Sequence, residues 1–73
     1  MFDVNVVSAD RVRRYSIATA GEVGWEVTLM ENHAIRLREI YDDWHRVERA
    51  LSRMQQEVSR LLEQGWTIQP VSR

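Results

Sequence analysis

The sequence has no cysteine, no lysine, one proline and three glycines in 73 residues. Without cysteine, no disulfide can staple the fold and no thiolate can hold a metal. Such usage suits a reducing compartment. All ten basic residues are arginine, for which the base content of a genome is sufficient explanation. Long apolar runs are missing too. Nothing approaches the ~20 residues that cross a bilayer, and Met1 to Asp10 lack the basic start and apolar stretch of a secretory leader. The expectation is a soluble cytoplasmic protein with no membrane partner. A net charge of -1 gives no global attraction to nucleic acid or to anionic lipid.

What is present argues for a folded chain. The hydrophobic share is 44%, ordinary for a globular protein. A single domain over 1–73 buries only about 60% of the surface its unfolded chain exposes, so its core is marginal and profits from a partner.

The clearest signal lies between Asp43 and Gln64. Trp44, Val47, Leu51, Met54, Val58 and Leu61 recur at spacings of three and four, the seam of an amphipathic helix. Asp42 or Asp43 can cap its start, where a carboxylate also suits the helix dipole. Gly65 stands where a left-handed stop is expected, which puts Trp66 in position to fold back toward Leu61.

Before the helix the period changes to two. Phe2, Val4 and Val6 alternate with polar residues; Tyr15, Ile17 and Thr19 share a face, as do Trp25, Val27 and Leu29. Ile35 and Leu37 continue the pattern, with Arg36, Arg38 and Ile40 on the opposite face. Asn32 tolerates the left-handed backbone of a tight hairpin. These runs predict strands over about 2–7, 11–19, 25–31 and 34–41, a helix over about 43–64 and a tail over 66–73, either an edge strand or a loose end. The fold class is α+β: a four-stranded antiparallel β-meander packed on one long C-terminal α-helix (ββββα), with a short C-terminal tail.

Lengths suggest a partner. A 22-residue helix is roughly 33 Å long, whereas seven-residue strands span roughly 23 Å. The overhang would carry Val58, Leu61 and Leu62, covered by Trp66 and the tail or by a second copy. The sheet's other face would show Met30 and Ile40 among its apolar residues, more than a solvated face requires. Met30, Ile40, Val58, Leu61, Leu62 and Trp66 are therefore the candidate oligomer contacts, and a twofold homodimer is expected.

Catalysis is not. No nucleophile signature or glycine-rich phosphate loop is present, and Gly21-Glu22-Val23-Gly24 is too short and leads into a strand. His45 and Glu48 share a helix face beside Asp42 and Asp43, but a metal needs three or four convergent ligands, and helix capping explains the carboxylates. No cofactor or metal is expected. The leading reading is a small non-enzymatic interaction or regulatory module acting as a homodimer, with a protein partner for its exposed surface. Arg14, Arg36 and Arg38 on the open sheet face, and Arg46, Arg49 and Arg53 on the helix, are the candidate interaction residues. The alternative is single-stranded nucleic-acid binding through those arginines. It requires exposed aromatics among the basic groups, and Tyr15 and Trp25 are in phase with the core instead.

Overall fold

The structure is a computed structural model, and it describes residues 2–70. Five strands and one helix follow in chain order: β1 (Phe2–Ser8), β2 (Arg11–Thr19), β3 (Trp25–Glu31), β4 (Ala34–Tyr41), α1 (Trp44–Glu63) and β5 (Thr67–Gln69). The sheet is antiparallel with the order β4-β3-β2-β1-β5. The meander stands as the alternation predicts. The sheet has five strands rather than four, because the tail turns back and pairs with β1, setting Val6 opposite Ile68.

Local chemistry fixes the connections. Ser8 pairs with Arg11 across Ala9 and Asp10, and Ala9 takes a left-handed backbone, φ 54°. Between β3 and β4, Asn32 and His33 both have positive φ, 50° and 69°, the pattern of a tight hairpin turn whose twist matches the strands. Asn32 also latches this turn to β2. Its backbone N–H donates to the Val12 carbonyl (2.8 Å), and its Oδ1 accepts from the Val12 N–H (3.0 Å). Between β2 and β3 the chain makes one 3-10 turn, Gly21–Val23. Gly24 then runs so close to Tyr41 that a Cβ would lie 2.1 Å from the Tyr41 carbonyl oxygen, and its φ of 132° also requires glycine.

The helix is bounded as its sequence implies. Asp43 is the N-cap, its Oδ1 accepting from the His45 N–H at 3.0 Å. At the other end the Trp66 N–H donates to the Leu61 carbonyl (3.0 Å) and the Gly65 N–H to the Leu62 carbonyl (3.1 Å). With Gly65 at φ 101°, this pair of bonds makes a left-handed stop that satisfies the last carbonyls.

One face of the helix lies on one face of the sheet. The core is Val6, Tyr15, Ile17 and Val27 from the strands, Val47, Met54, Val58 and Leu61 from the helix, and Trp66 from the turn beyond it. Phe2, Val4, Trp25, Leu29, Tyr41, Ala50 and Leu51 pack around it, half-buried. Trp44 stands at the margin of the seam and meets Trp25, ring centroids 5.2 Å apart. The expected apolar overhang does not arise. Val58, Leu61 and Trp66 are all buried within the single chain, which removes them as free contacts for a partner, and only Leu62 of that group stays exposed.

A second correction concerns β4. Leu29 lies opposite Leu37, but Met30 lies opposite Ile35, so Arg36 is an inserted, unpaired residue: a β-bulge. Simple alternation puts Ile35 beside Leu37 on the helix side. The bulge instead sets Ile35 against Met30 on the open face, and the Arg36 guanidinium reaches Glu31 rather than joining Arg14 and Arg38.

Candidate functional site

β4 borders the sheet, and its outer backbone groups have no strand beside them. From Ala34 to Ile40 every residue is exposed, including Ile35 (58%), Leu37 (40%) and Ile40 (48%). The bulge interrupts the strand at Arg36; beyond it, Leu37 to Tyr41 pair regularly with Leu29 to Trp25. Five residues of regular, exposed edge therefore carry an apolar side chain on each face: Leu37 with Tyr41 toward the helix, Ile40 on the open side. Unpaired edges of this kind are templates for another strand.

Beside this edge lies a groove. Arg46, Arg49 and Arg53, spaced by three and four, fall on one face of the helix. With Glu39 and Tyr41 of β4 they enclose about 360 Å³. The Tyr41 hydroxyl donates to the Glu39 carboxylate. That bond, then partial burial and the Glu39 charge, raises the Tyr41 pKa, while Arg53 and Arg46 draw it down. Arg46 also lies in the first turn of the helix, where the dipole adds to its positive potential.

The groove continues inward between helix and sheet as a trough of about 180 Å³. Val27, Leu29, Leu37, Ala50 and Met54 supply its apolar lining, Tyr15 and Glu57 its polar part, and Tyr41 and Arg53 line both spaces. The buried Tyr15 hydroxyl has no hydrogen-bond partner of ordinary geometry. Burial raises the Tyr15 pKa, opposed by the neighbouring Arg13 and reinforced by Glu57.

The arginines divide into two groups. Four of the sheet are paired: Arg14 with Asp3 (2.7 Å), Arg38 with Glu26 (2.9 Å), Arg36 with Glu31 (3.3 Å), and Arg13 with both Glu31 (3.0 Å) and Glu57 (3.3 Å), whereas Arg11 lies over the Trp66 ring. Burial pushes Glu31 up, but Arg13 and Arg36 outweigh it and hold the carboxyl below its ordinary range. Among the described residues, Arg46, Arg49 and Arg53 have no carboxylate within ion-pair distance.

The six candidate arginines are thus not one surface. Arg14 and Arg38 lie on the open face, Arg36 at the bulge, and Arg46, Arg49 and Arg53 along the groove. Met30 and Ile40 do share the open face, together with Ile35. Among the described residues no three histidine or acidic side chains converge as metal ligands, and no helix is long and apolar enough to cross a membrane. Sequence reasoning overlooked Glu39 and the joint role of Leu37 and Tyr41; the spacing of Arg46, Arg49 and Arg53 was the available signal, without its facing strand. Compared with known proteins, the chain matches no family model, no curated protein and no solved structure.

Proposed function

We propose that the protein is a small non-enzymatic interaction module that works as a twofold homodimer, joined edge to edge through β4. The observation that carries the reading is the regular, largely exposed run from Leu37 to Tyr41 along the unpaired border of the sheet. Two antiparallel copies related by an axis normal to the sheet keep both helices on one side. Pairing about Glu39 sets Leu37 of each copy opposite Tyr41 of the other, and Arg38 opposite Ile40. The two Glu39 carboxylates then meet at the axis, flanked by the unpaired Arg46, Arg49 and Arg53 of both helices. The drive to pair is therefore the open strand edge and the apolar contact of Leu37 with Tyr41 across the axis, and the facing Glu39 charges oppose it.

Ile40→Lys tests this reading. Ile40 is 48% exposed, so the change leaves the core intact, but in the dimer it puts a lysine opposite Arg38. Sedimentation velocity over a concentration series should show a dimer for the parent chain and a monomer for Ile40→Lys, with unchanged circular dichroism. A parent chain that stays monomeric throughout, or a variant that dimerises equally well, overturns the proposal.

A further inference from the structure

We infer that the groove between α1 and β4 binds a small organic anion, a phosphate or carboxylate head carrying a ring or a short alkyl body. The head is argued from charge. Arg46, Arg49 and Arg53 line one space, and among the described residues none has a carboxylate partner, while Arg13, Arg14, Arg36 and Arg38 all do; Arg11, over the Trp66 ring, and Arg60, in the last helical turn, also lack one but lie outside that space. Glu39, the acid in that space, already accepts a bond from Tyr41 and offsets only one of the three cations. Guanidinium groups suit this task because their forked donors match the oxygens of phosphate and carboxylate. The helix start adds potential of the same sign.

The body is argued from shape. An inorganic ion would leave the adjoining trough unused. That trough is lined by Val27, Leu29, Leu37, Ala50 and Met54, and it opens into the arginine groove through Tyr41 and Arg53, which border both. A ligand with its head among the arginines lays its body on Tyr41 and over Leu37, burying apolar surface that the single chain leaves in water. A long nucleic-acid strand fits less well. It needs a cationic track with several stacking aromatics, whereas Arg14 and Arg38 on the open sheet face are neutralised and Tyr41 is the one aromatic on this rim. The site is complete within one chain and does not depend on pairing through β4.

Phenyl phosphate is the probe, with inorganic phosphate as the head alone and phenol as the body alone. Titrations followed by amide NMR shifts use both the parent chain and Ile40→Lys, so that loss of the dimer and loss of the site are read separately. Phenyl phosphate should saturate at one per chain in both proteins, move the amides of Leu37, Tyr41, Ala50 and Arg53, and bind more tightly than either fragment. The double variant Arg49→Gln with Arg53→Gln should weaken it by at least about tenfold, the scale of losing a charge-assisted bond, with an unchanged circular dichroism spectrum. Equal affinity for inorganic phosphate, shifts of the same size around Arg14 and Arg38, or a double variant that binds as the parent does would each overturn the site.

Discussion

At one end of the sheet the border strand is three residues long and runs into Pro70, which has no N–H to offer a neighbour. Behind it Trp66 fills the space under the helix, covered by the Arg11 and Arg13 guanidinium groups at 5.4 and 5.5 Å from its ring centre. At the other end the border strand is eight residues long, exposed almost throughout, with an unfilled trough behind it. Both ends belong to one sheet under one helix, so composition does not explain the contrast. The end that is short, interrupted by proline and backed by an aromatic plug is managed against further pairing. The end that is long and hollow has only a bulge and three charges, at Arg36, Arg38 and Glu39, to discourage it. A free edge next to an unfilled hollow is where a small domain has surface left to work with.

The comparison breaks most forcefully at Trp66. Trp66→Ala empties the closed end and should cost about 3–5 kcal/mol in urea unfolding. A loss within the range of a surface substitution would show that the plug is dispensable and the two ends alike. The open end should respond in the opposite sense. Tyr15 lines the trough with a buried hydroxyl that makes no hydrogen bond of ordinary geometry, so Tyr15→Phe should leave stability unchanged or raise it by about 1 kcal/mol. Because burial, above all, raises the Tyr15 pKa over the ordinary 10.0, its contribution is fully present below pH 10 and is lost as the pH rises through the folded value. Thermal unfolding above pH 10 should therefore fall less steeply in Tyr15→Phe than in the parent. A clear loss of stability at neutral pH would mean that the hydroxyl is satisfied, and that the trough's lining is built as firmly as the plug.

The smallest effect concerns Glu31, where the open strand begins. Its pKa lies below the ordinary 4.5 because Arg13 and Arg36 outweigh its burial. A carboxyl depressed on folding contributes stability above its unfolded pKa, and that contribution is lost as the pH falls through the folded value. Glu31→Gln should make stability less sensitive to acid below about pH 4.5, visible as a shallower fall of the unfolding midpoint. Parallel curves for the two proteins would remove this ion cluster from the account of the open end.

The elements with strong local signals were legible in the sequence. The seam from Val47 to Leu61, a cap at Asp42 or Asp43 and the stop at Gly65 follow from spacing and backbone chemistry, and the structure repeats the seam and the stop and takes Asp43 as the cap. The meander was legible from alternation in the same way. β5 was legible only as one of two alternatives, edge strand or loose end, because three residues before a proline carry almost no periodic signal, and the strand exists through the hydrogen bonds that the border of β1 offers. The bulge was hidden for a different reason. Alternation counts residues, and an inserted Arg36 moves Ile35 to the other face without changing a letter of the pattern. The groove was half legible. Its arginines stand at helical spacing, but Glu39, Leu37 and Tyr41 come to face them only because the helix leaves β4 largely uncovered, a packing outcome with no local cause.

Asn32 carries one last consequence. Its two bonds to Val12, one from the main chain and one to the side chain, join the hairpin of β3 and β4 to the middle of the sheet at a single residue. A strand that slips by one position turns its whole apolar set toward water. The Asn32 pair of bonds forms in one alignment alone, so every misaligned sheet forfeits both at once. In a chain whose core is small, such a checkpoint adds to the margin that burial already sets between the native arrangement and its near neighbours. Its effect is on fidelity: whatever free energy the two bonds add to the native well also sets the misassembled sheets that much further above it.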